Sequence, residues 1–200
     1  MGNHFNHEDA LVTKIYAPAA LALLLGLSGA TATLAAQAEP AAVEADATAL
    51  PEAAPAGVES IDAIVLAVYD VISGPAGEKR DWDRMRSLFI DGARLIPTGR
   101  RQNGEGSHRV MTVEDYITGS GSWLEQNGFF ETEVSRKTDR FGNIAQVFTT
   151  YESRRTPDAE PFMRGINSFQ LWNDGERWWV VTIFWESETP GTPIPEKYLD

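Results

Sequence analysis

The sequence predicts one α+β domain, in which about three helices pack on one side of a curved, mostly antiparallel sheet. Two observations predict this class. Before residue 128, apolar residues recur with the helical period, and after it four segments are rich in β-branched and aromatic residues. Helices followed by a run of strands are typical of α+β domains.

Three helices are predicted in the first half of the domain. The first is capped by Ser60, and its apolar stripe is formed by Ile61, Val65, Val68 and Ile72. A short second helix follows a loop rich in glycine and proline. Thr112 and Asp115 form the capping-box pattern of a third helix. Gly119 and Gly121 lower its stability, so we expect this helix to be bent or broken there.

Four strands are predicted to form an antiparallel meander after the helices, at 129–137, 144–154, 162–172 and 177–185, with a further strand at 93–96. The last strand is apolar on both faces, as in a sheet that is covered on both sides. Since helices cover one face, we expect a second copy of the chain to cover the other and form a homodimer. The alternative is that the N-terminal tether or the C-terminal tail, residues 190–200, covers it.

The first 38 residues have the parts of a secretory signal peptide. Lys14 precedes an uncharged stretch, residues 15–38, which has a leucine-rich centre and ends in Ala36-Gln37-Ala38. We expect cleavage after Ala38 and a periplasmic or secreted protein without a membrane anchor; an uncleaved anchor is the alternative. Residues 39–57, rich in Ala, Pro and Glu, are predicted to be a disordered tether to the domain at 58–200.

The composition excludes several classes of function. The chain has no cysteine, which excludes disulfide scaffolds, thiolate metal sites and cysteine nucleophiles. Its net charge of −12 argues against nucleic-acid binding. Ten of the 29 acidic residues but only one of the 17 basic ones lie in the first 78 residues, so much of the acidity precedes the sheet. No cofactor is expected.

Two segments carry a resemblance to a known superfamily. They are WDRMRSLFIDGARL at 82–95 and DGERWWVV at 174–181. With the order of the elements, they make residues 58–188 resemble the NTF2-like superfamily, which includes ketosteroid isomerases, SnoaL-like polyketide cyclases and scytalone dehydratase. The resemblance implies a cone-shaped pocket between helices and sheet. It does not imply one activity, because members of such a superfamily differ in chemistry.

Tyr69 and Asn167 match the two residues that, in the ketosteroid isomerase pattern, donate hydrogen bonds to the enolate oxygen. At the position of the proton-transferring carboxylate, however, the chain has Ile96-Pro97. Without a base there, steroid isomerisation is not expected. His108, in a predicted loop, is a candidate base because of its intrinsic pKa.

The expected pocket walls come from the last two strands. They are formed by Met163, Phe169, Leu171, Trp179, Val181, Ile183 and Trp185. Arg94 is expected near the rim, where it would bind a carboxylate or phosphate. Glu131 and Glu133 share a strand face, but nothing else completes a metal site, so none is expected. The alternative to a pocket is that the wall residues, together with Tyr69 and Asn167, simply fill the core.

The leading functional expectation is an exported domain that binds a small apolar or aromatic molecule, with Tyr69 and Asn167 orienting a carbonyl or hydroxyl group. The first alternative is a SnoaL-like isomerase, cyclase or dehydratase, with His108 or a carboxylate such as Asp91 as base. The second is a dimeric scaffold with a filled pocket. A titratable group within reach of the cavity would distinguish binding from catalysis.

Overall fold

A computed structural model describes residues 51–101 and 103–200. The helices and strands of these residues are α1 (Ile61–Ile72), α2 (Trp82–Ser87), β1 (Phe89–Arg100), β2 (Gly106–His108), α3 (Val113–Asn127), β3 (Phe130–Phe141), β4 (Ile144–Arg154), β5 (Met163–Asn173) and β6 (Trp178–Ser187). Short 3-10 helices lie at Pro55–Gly57 and Glu196–Tyr198. None of the helices described here has the length and apolar character that a membrane span requires.

The strands form one sheet in the order β2-β1-β6-β5-β4-β3. Neighbours are antiparallel except β1 and β6, which are parallel. The α+β class and the mostly antiparallel, curved sheet are therefore confirmed. Two details of this sheet differ from the sequence prediction. β1 has twelve residues, whereas a strand was predicted only at 93–96. β2 occupies a segment predicted to be a loop, so His108 ends a strand.

The helix caps are those that the sequence indicates. The hydroxyl of Ser60 accepts a hydrogen bond from the Ala63 amide at the start of α1, and Thr112 and Asp115 form a reciprocal capping box on α3. The predicted break in α3 is wrong, because residues 113–127 form one continuous helix. A Cβ atom on Gly121 would lie 3.0 Å from the ring of Trp82, so this glycine allows α2 and α3 to pack closely.

A β-bulge in the last strand decides which of its side chains face the helices. Gln170 pairs with Thr182, and Leu171 pairs with Val180, so Val181 is an extra residue in β6. Such an insertion reverses the alternation of the strand. Trp178 and Val180 are buried before the bulge, and Ile183 is buried after it. The buried positions are therefore even-numbered before the bulge and odd-numbered after it.

The outer face of the sheet is covered in part by the C-terminal tail. Thr150 and Ser135 donate hydroxyl hydrogen bonds to the carbonyl oxygens of Tyr198 and Asp200, and the ring of Tyr198 packs on Phe148. Large apolar side chains elsewhere on this face stay exposed in the single chain; they are Ile144, Trp172 and Phe184. The tail therefore covers one side of the face and leaves the other open.

Residues just before the predicted boundary at 58 pack with the domain. Pro55–Gly57 is helical, Ala53 is buried, and the Trp178 amide donates a hydrogen bond to the carbonyl of Val58. The end of the predicted tether is thus part of the domain. The predicted signal peptide, its cleavage site after Ala38 and the tether as far as residue 50 lie outside the described residues.

A buried arginine joins the helices that form the cavity walls. Arg80 is 7% exposed and donates hydrogen bonds to the main-chain carbonyls of Ile72, Gly74, Pro75, Glu78 and Leu124. A planar guanidinium with five donors can satisfy such a set of acceptors. Arg80 thereby ties the end of α1 to α3.

Candidate functional site

A cavity of about 200 Å³ lies between the helices and the concave face of the sheet. Its aromatic walls are Tyr69, Tyr116, Trp123, Phe129, Tyr151, Phe169 and Trp185. Aliphatic side chains complete most of the lining, and its polar members include Ser120, Glu131 and Asn167. An apolar cavity of about 150 Å³ holds benzene. A molecule of about one ring therefore fits this space.

The structure brings together six of the residues that the sequence placed in the pocket. Around the cavity lie Tyr69, Asn167, Met163, Phe169, Ile183 and Trp185. Leu171 is buried but is not part of the lining. The β6 bulge places Trp179 and Val181 outside the cavity lining. Trp179 pairs with the exposed Trp172.

The predicted rim residue and bases lie away from this cavity. Arg94 is exposed and donates hydrogen bonds to the carbonyls of Gly92 and Ala93. His108 is exposed at the end of β2, where it lines a groove with the outward-facing Phe184. Asp91 is exposed and is not part of the cavity lining. None of the three therefore faces a molecule in the cavity.

The carboxyl group that does face the cavity is that of Glu131 on β3. Its Oε2 accepts a hydrogen bond from the hydroxyl of Ser153 at 2.9 Å, and its Oε1 accepts one from the side-chain nitrogen of Asn167 at 3.3 Å. A wider groove outside α1 also reaches Glu131 and Tyr69. The carboxyl is thus held by residues of two strands, β4 and β5.

Burial raises the pKa of Glu131 from 4.5 to about 7. Removal from water disfavours the charged form; the hydrogen bonds from Ser153 and Asn167 lower the pKa but only in part. A carboxyl group with a pKa near 7 is present in both protonation states at neutral pH. It can therefore both remove and return a proton.

Tyr69 and Asn167 are hydrogen-bonded to each other beside this carboxyl. The amide nitrogen of Asn167 donates to the hydroxyl of Tyr69 at 3.1 Å, and that hydroxyl also bonds to the hydroxyl of Thr149. Burial, and next the charge of Glu131, raises the pKa of Tyr69. Tyr69 therefore stays protonated at neutral pH, and Asn167 acts on Glu131 as a positioning residue.

Two further tyrosines surround the same carboxyl. Tyr151 bonds to the hydroxyl of Ser187 at 3.1 Å, and burial raises its pKa to about 12. Burial and the charge of Glu131 also raise the pKa of Tyr116 on α3. All three tyrosine hydroxyls thus remain neutral hydrogen-bond donors beside a group that titrates near pH 7.

The sequence interpretation considered Glu131 only as a metal ligand and missed its place in the cavity. A usable signal exists: Glu131 alternates with the apolar Phe129, so the two share a strand face. Phe129 is buried and lines the cavity with Glu131. Within the described ranges, no three acidic or histidine side chains are grouped as a metal site would require.

No family model matches the sequence, and no curated protein matches it. Solved NTF2-like proteins are among the structures to which the chain is similar. One such protein, of unknown function, from Silicibacter pomeroyi has 14% identity and a TM-score of 0.46, with 65% of this chain and 94% of that chain covered.

Two other solved structures have similar sequence identities and TM-scores. A protein of unknown function with a cystatin-like fold from Nostoc punctiforme has 11% identity and a TM-score of 0.49, covering 65% of this chain and 90% of that one. A proposed dehydratase of the NTF2-like family from Streptomyces avermitilis has 10% identity and a TM-score of 0.49, covering 66% and 96%.

Proposed function

We propose that the protein is an acid–base enzyme, of isomerase or dehydratase type, that acts on a small apolar carbonyl compound. The observation that carries the proposal is the Glu131 carboxyl, whose pKa is about 7, in an otherwise mostly apolar cavity. A general base works best when its pKa lies near the working pH. The cavity volume limits the substrate to about the size of one ring.

The proposed chemistry is a proton transfer at carbon. The ionised Glu131 removes a proton from the carbon next to the substrate carbonyl; the electron pair of that C–H bond forms a carbon–carbon double bond, and the π pair of the carbonyl moves to its oxygen. The protonated Glu131 then returns the proton to a carbon of the same molecule or, in a dehydration, to a leaving hydroxyl. Apolar walls favour this step because they keep water away from the enolate.

Hydrogen–deuterium exchange tests the proposal without knowledge of the natural substrate. Cyclohexanone and acetophenone are incubated with the protein in D₂O, and loss of the protons next to the carbonyl is followed by NMR. We expect the wild-type protein to accelerate exchange, and Glu131→Gln to reduce that acceleration at least about 100-fold. Equal exchange by the two proteins would overturn the catalytic proposal.

The chain offers a matched control for this experiment. Glu133 lies two residues along the same strand but is paired with Arg136, and it does not line the cavity. Glu133→Gln removes the same charge outside the site, so its exchange rate should stay near that of the wild type. A loss as large as that of Glu131→Gln would instead indicate a general effect of charge or folding.

A non-catalytic binding protein is the second candidate. It is favoured by one observation, namely that the hydrogen bonds of Asn167 are already made within the protein. This candidate predicts that one-ring ligands raise the unfolding midpoint, more so the more tightly they bind, while Glu131→Gln leaves exchange unchanged. The cavity of about 200 Å³ disfavours the third candidate, a scaffold with a filled pocket.

We also propose that this activity operates outside the cytoplasm. The signal-like residues 1–38 and the absence of cysteine support export. N-terminal sequencing of the protein recovered from a periplasmic fraction or the medium tests this. We expect a chain that begins at Glu39; recovery of an unprocessed chain in the membrane fraction would favour the uncleaved anchor.

A further inference from the structure

Resting on the proposed function, we propose that Tyr116 and Ser120 on α3 bind the carbonyl oxygen of the substrate, opposite Glu131. The substrate would then be a one-ring or similarly small ketone or enone, held by its oxygen at the helix wall. Tyr69 and Asn167, the pair that the resemblance indicates for this role, would instead hold Glu131 in place.

The donors of Asn167 are already engaged, and the hydroxyl of Tyr69 already bonds to two neighbours. The side-chain amide of Asn167 has two hydrogens, and its nitrogen donates to Tyr69 at 3.1 Å and to Glu131 at 3.3 Å. The hydroxyl of Tyr69 bonds in addition to that of Thr149. A carbonyl oxygen could bind to the Asn167 amide only if it displaced one of these bonds, which reduces the net gain.

The hydroxyl of Tyr116, by contrast, is accessible rather than enclosed. Over residues 51–101 and 103–200, no hydrogen-bond partner is found for it, and no side-chain polar atom there is both fully enclosed and unpaired. The Tyr116 side chain lines the cavity. A tyrosine hydroxyl in an apolar setting usually has a partner, and a carbonyl oxygen bound in the cavity would provide one.

Ser120 adds a second hydroxyl on the same side of the cavity. It lies four residues after Tyr116 in α3, so the two side chains share one face of the helix. Ser120 also lines the cavity. Two hydroxyls on one wall can donate to the two lone pairs of one carbonyl oxygen.

The position of Tyr116 relative to Glu131 suits proton transfer. Tyr116 is near enough for the charge of Glu131 to contribute to its raised pKa. The two residues lie on different layers, α3 and β3, and border the same cavity. A carbonyl oxygen bound to Tyr116 would leave the adjacent carbon within the space that faces Glu131, and the hydroxyl would stabilise the negative charge on the enolate oxygen.

Binding of two matched probes tests this assignment. Acetophenone has a carbonyl oxygen, whereas ethylbenzene has a similar shape without it. In the wild-type protein we expect acetophenone to bind more tightly. Tyr116→Phe should raise the dissociation constant of acetophenone about five- to tenfold and leave that of ethylbenzene unchanged. Tyr69→Phe should leave the ratio of the two constants unchanged.

The carbonyl stretching band of bound acetophenone gives a readout that altered packing does not mimic. Hydrogen bonding lowers its frequency, and Tyr116→Phe should move the band back toward that of the free carbonyl. Equal weakening of both probes by Tyr116→Phe, an unchanged band, or a changed probe ratio only in Tyr69→Phe would overturn the inference. If neither probe binds the wild-type protein, both the inference and the proposed substrate class fail.

A separate result distinguishes the two proposals. If Tyr116→Phe abolishes the preference for acetophenone while Glu131→Gln leaves deuterium exchange unchanged, the oxygen-binding role of Tyr116 stands and the enzyme proposal fails. If exchange depends on Glu131 but the probe ratio does not depend on Tyr116, the enzyme proposal stands and this inference fails.

Discussion

The side-chain nitrogen of Asn167 lies 3.3 Å from Oε1 of Glu131 and donates a hydrogen bond to it. The same nitrogen donates to the hydroxyl of Tyr69 at 3.1 Å. One amide therefore connects β5 with β3 and α1 at the inner end of the cavity. Through this contact, one member of the residue pair that the sequence indicated for binding a substrate also bonds to a carboxyl group that the sequence interpretation did not place there.

The contribution of Glu131 to the free energy of unfolding should fall as the pH rises from 4.5 to about 7. In this interval Glu131 ionises in the unfolded chain but remains largely protonated in the folded protein, so the folded state binds more protons. At 1.36 kcal/mol per pH unit, this loss amounts to at most about 3 kcal/mol. Urea unfolding of the wild type and Glu131→Gln across this range measures it.

Glu131→Gln should lack this contribution, so the stability difference between the two proteins should change with pH in favour of the variant. Other carboxyl groups titrate in both proteins and cancel in the comparison. Parallel stability curves between pH 4.5 and 8 would contradict the raised pKa of Glu131.

Ser153→Ala should raise the pKa of Glu131 above 7. The Ser153 hydroxyl donates to Oε2 and favours the ionised carboxyl, so its removal disfavours that form. We expect a change of about one pH unit, measured by NMR titration of the Glu131 side-chain carbon. Ser107→Ala is the control, since that hydroxyl bonds to Gly99 on the β1–β2 pair. A lower pKa in Ser153→Ala would refute the assignment.

Gly165→Ala should destabilise the protein, because a Cβ atom at this position would lie 2.5 Å from the hydroxyl of Tyr151 and from the carbonyl of Glu186. Overpacking of this kind costs about 1–3 kcal/mol. Gly119→Ala is the matched control: it lies within α3, where nothing approaches its Cβ position, and should stabilise the helix by up to about 1 kcal/mol. Thermal unfolding measures both, and equal effects would contradict this packing.

The homodimer remains a prediction, with the open part of the outer sheet face as the proposed contact. Exposed Trp172 and Phe184 lie there. We expect a dimer by light scattering at micromolar concentration and a monomer for Phe184→Glu, which would bury a charge at the contact. Leu66→Glu changes an exposed apolar residue on α1 and should leave the dimer intact. A monomeric wild type would exclude this contact.

Local signals in the sequence determined the elements of the fold. The cap at Ser60 and the capping box of Thr112 and Asp115 depend on residues three apart, and they were correctly predicted. The strands after residue 128 were predicted from β-branched and aromatic composition within each segment. Such signals act over a few residues and do not require knowledge of the neighbours in space.

Tertiary structure decided which side chains meet. The inward face of β6 changes at Val181, because this residue has no partner on β5, and no pattern within β6 reveals that. Likewise, Glu131 meets Ser153 and Asn167, which are 22 and 36 residues away in the chain. Its pKa depends on burial and on these two contacts. The sequence by itself determined the fold class and the pocket residues Tyr69 and Asn167, whereas only the folded chain placed a titratable carboxyl beside them.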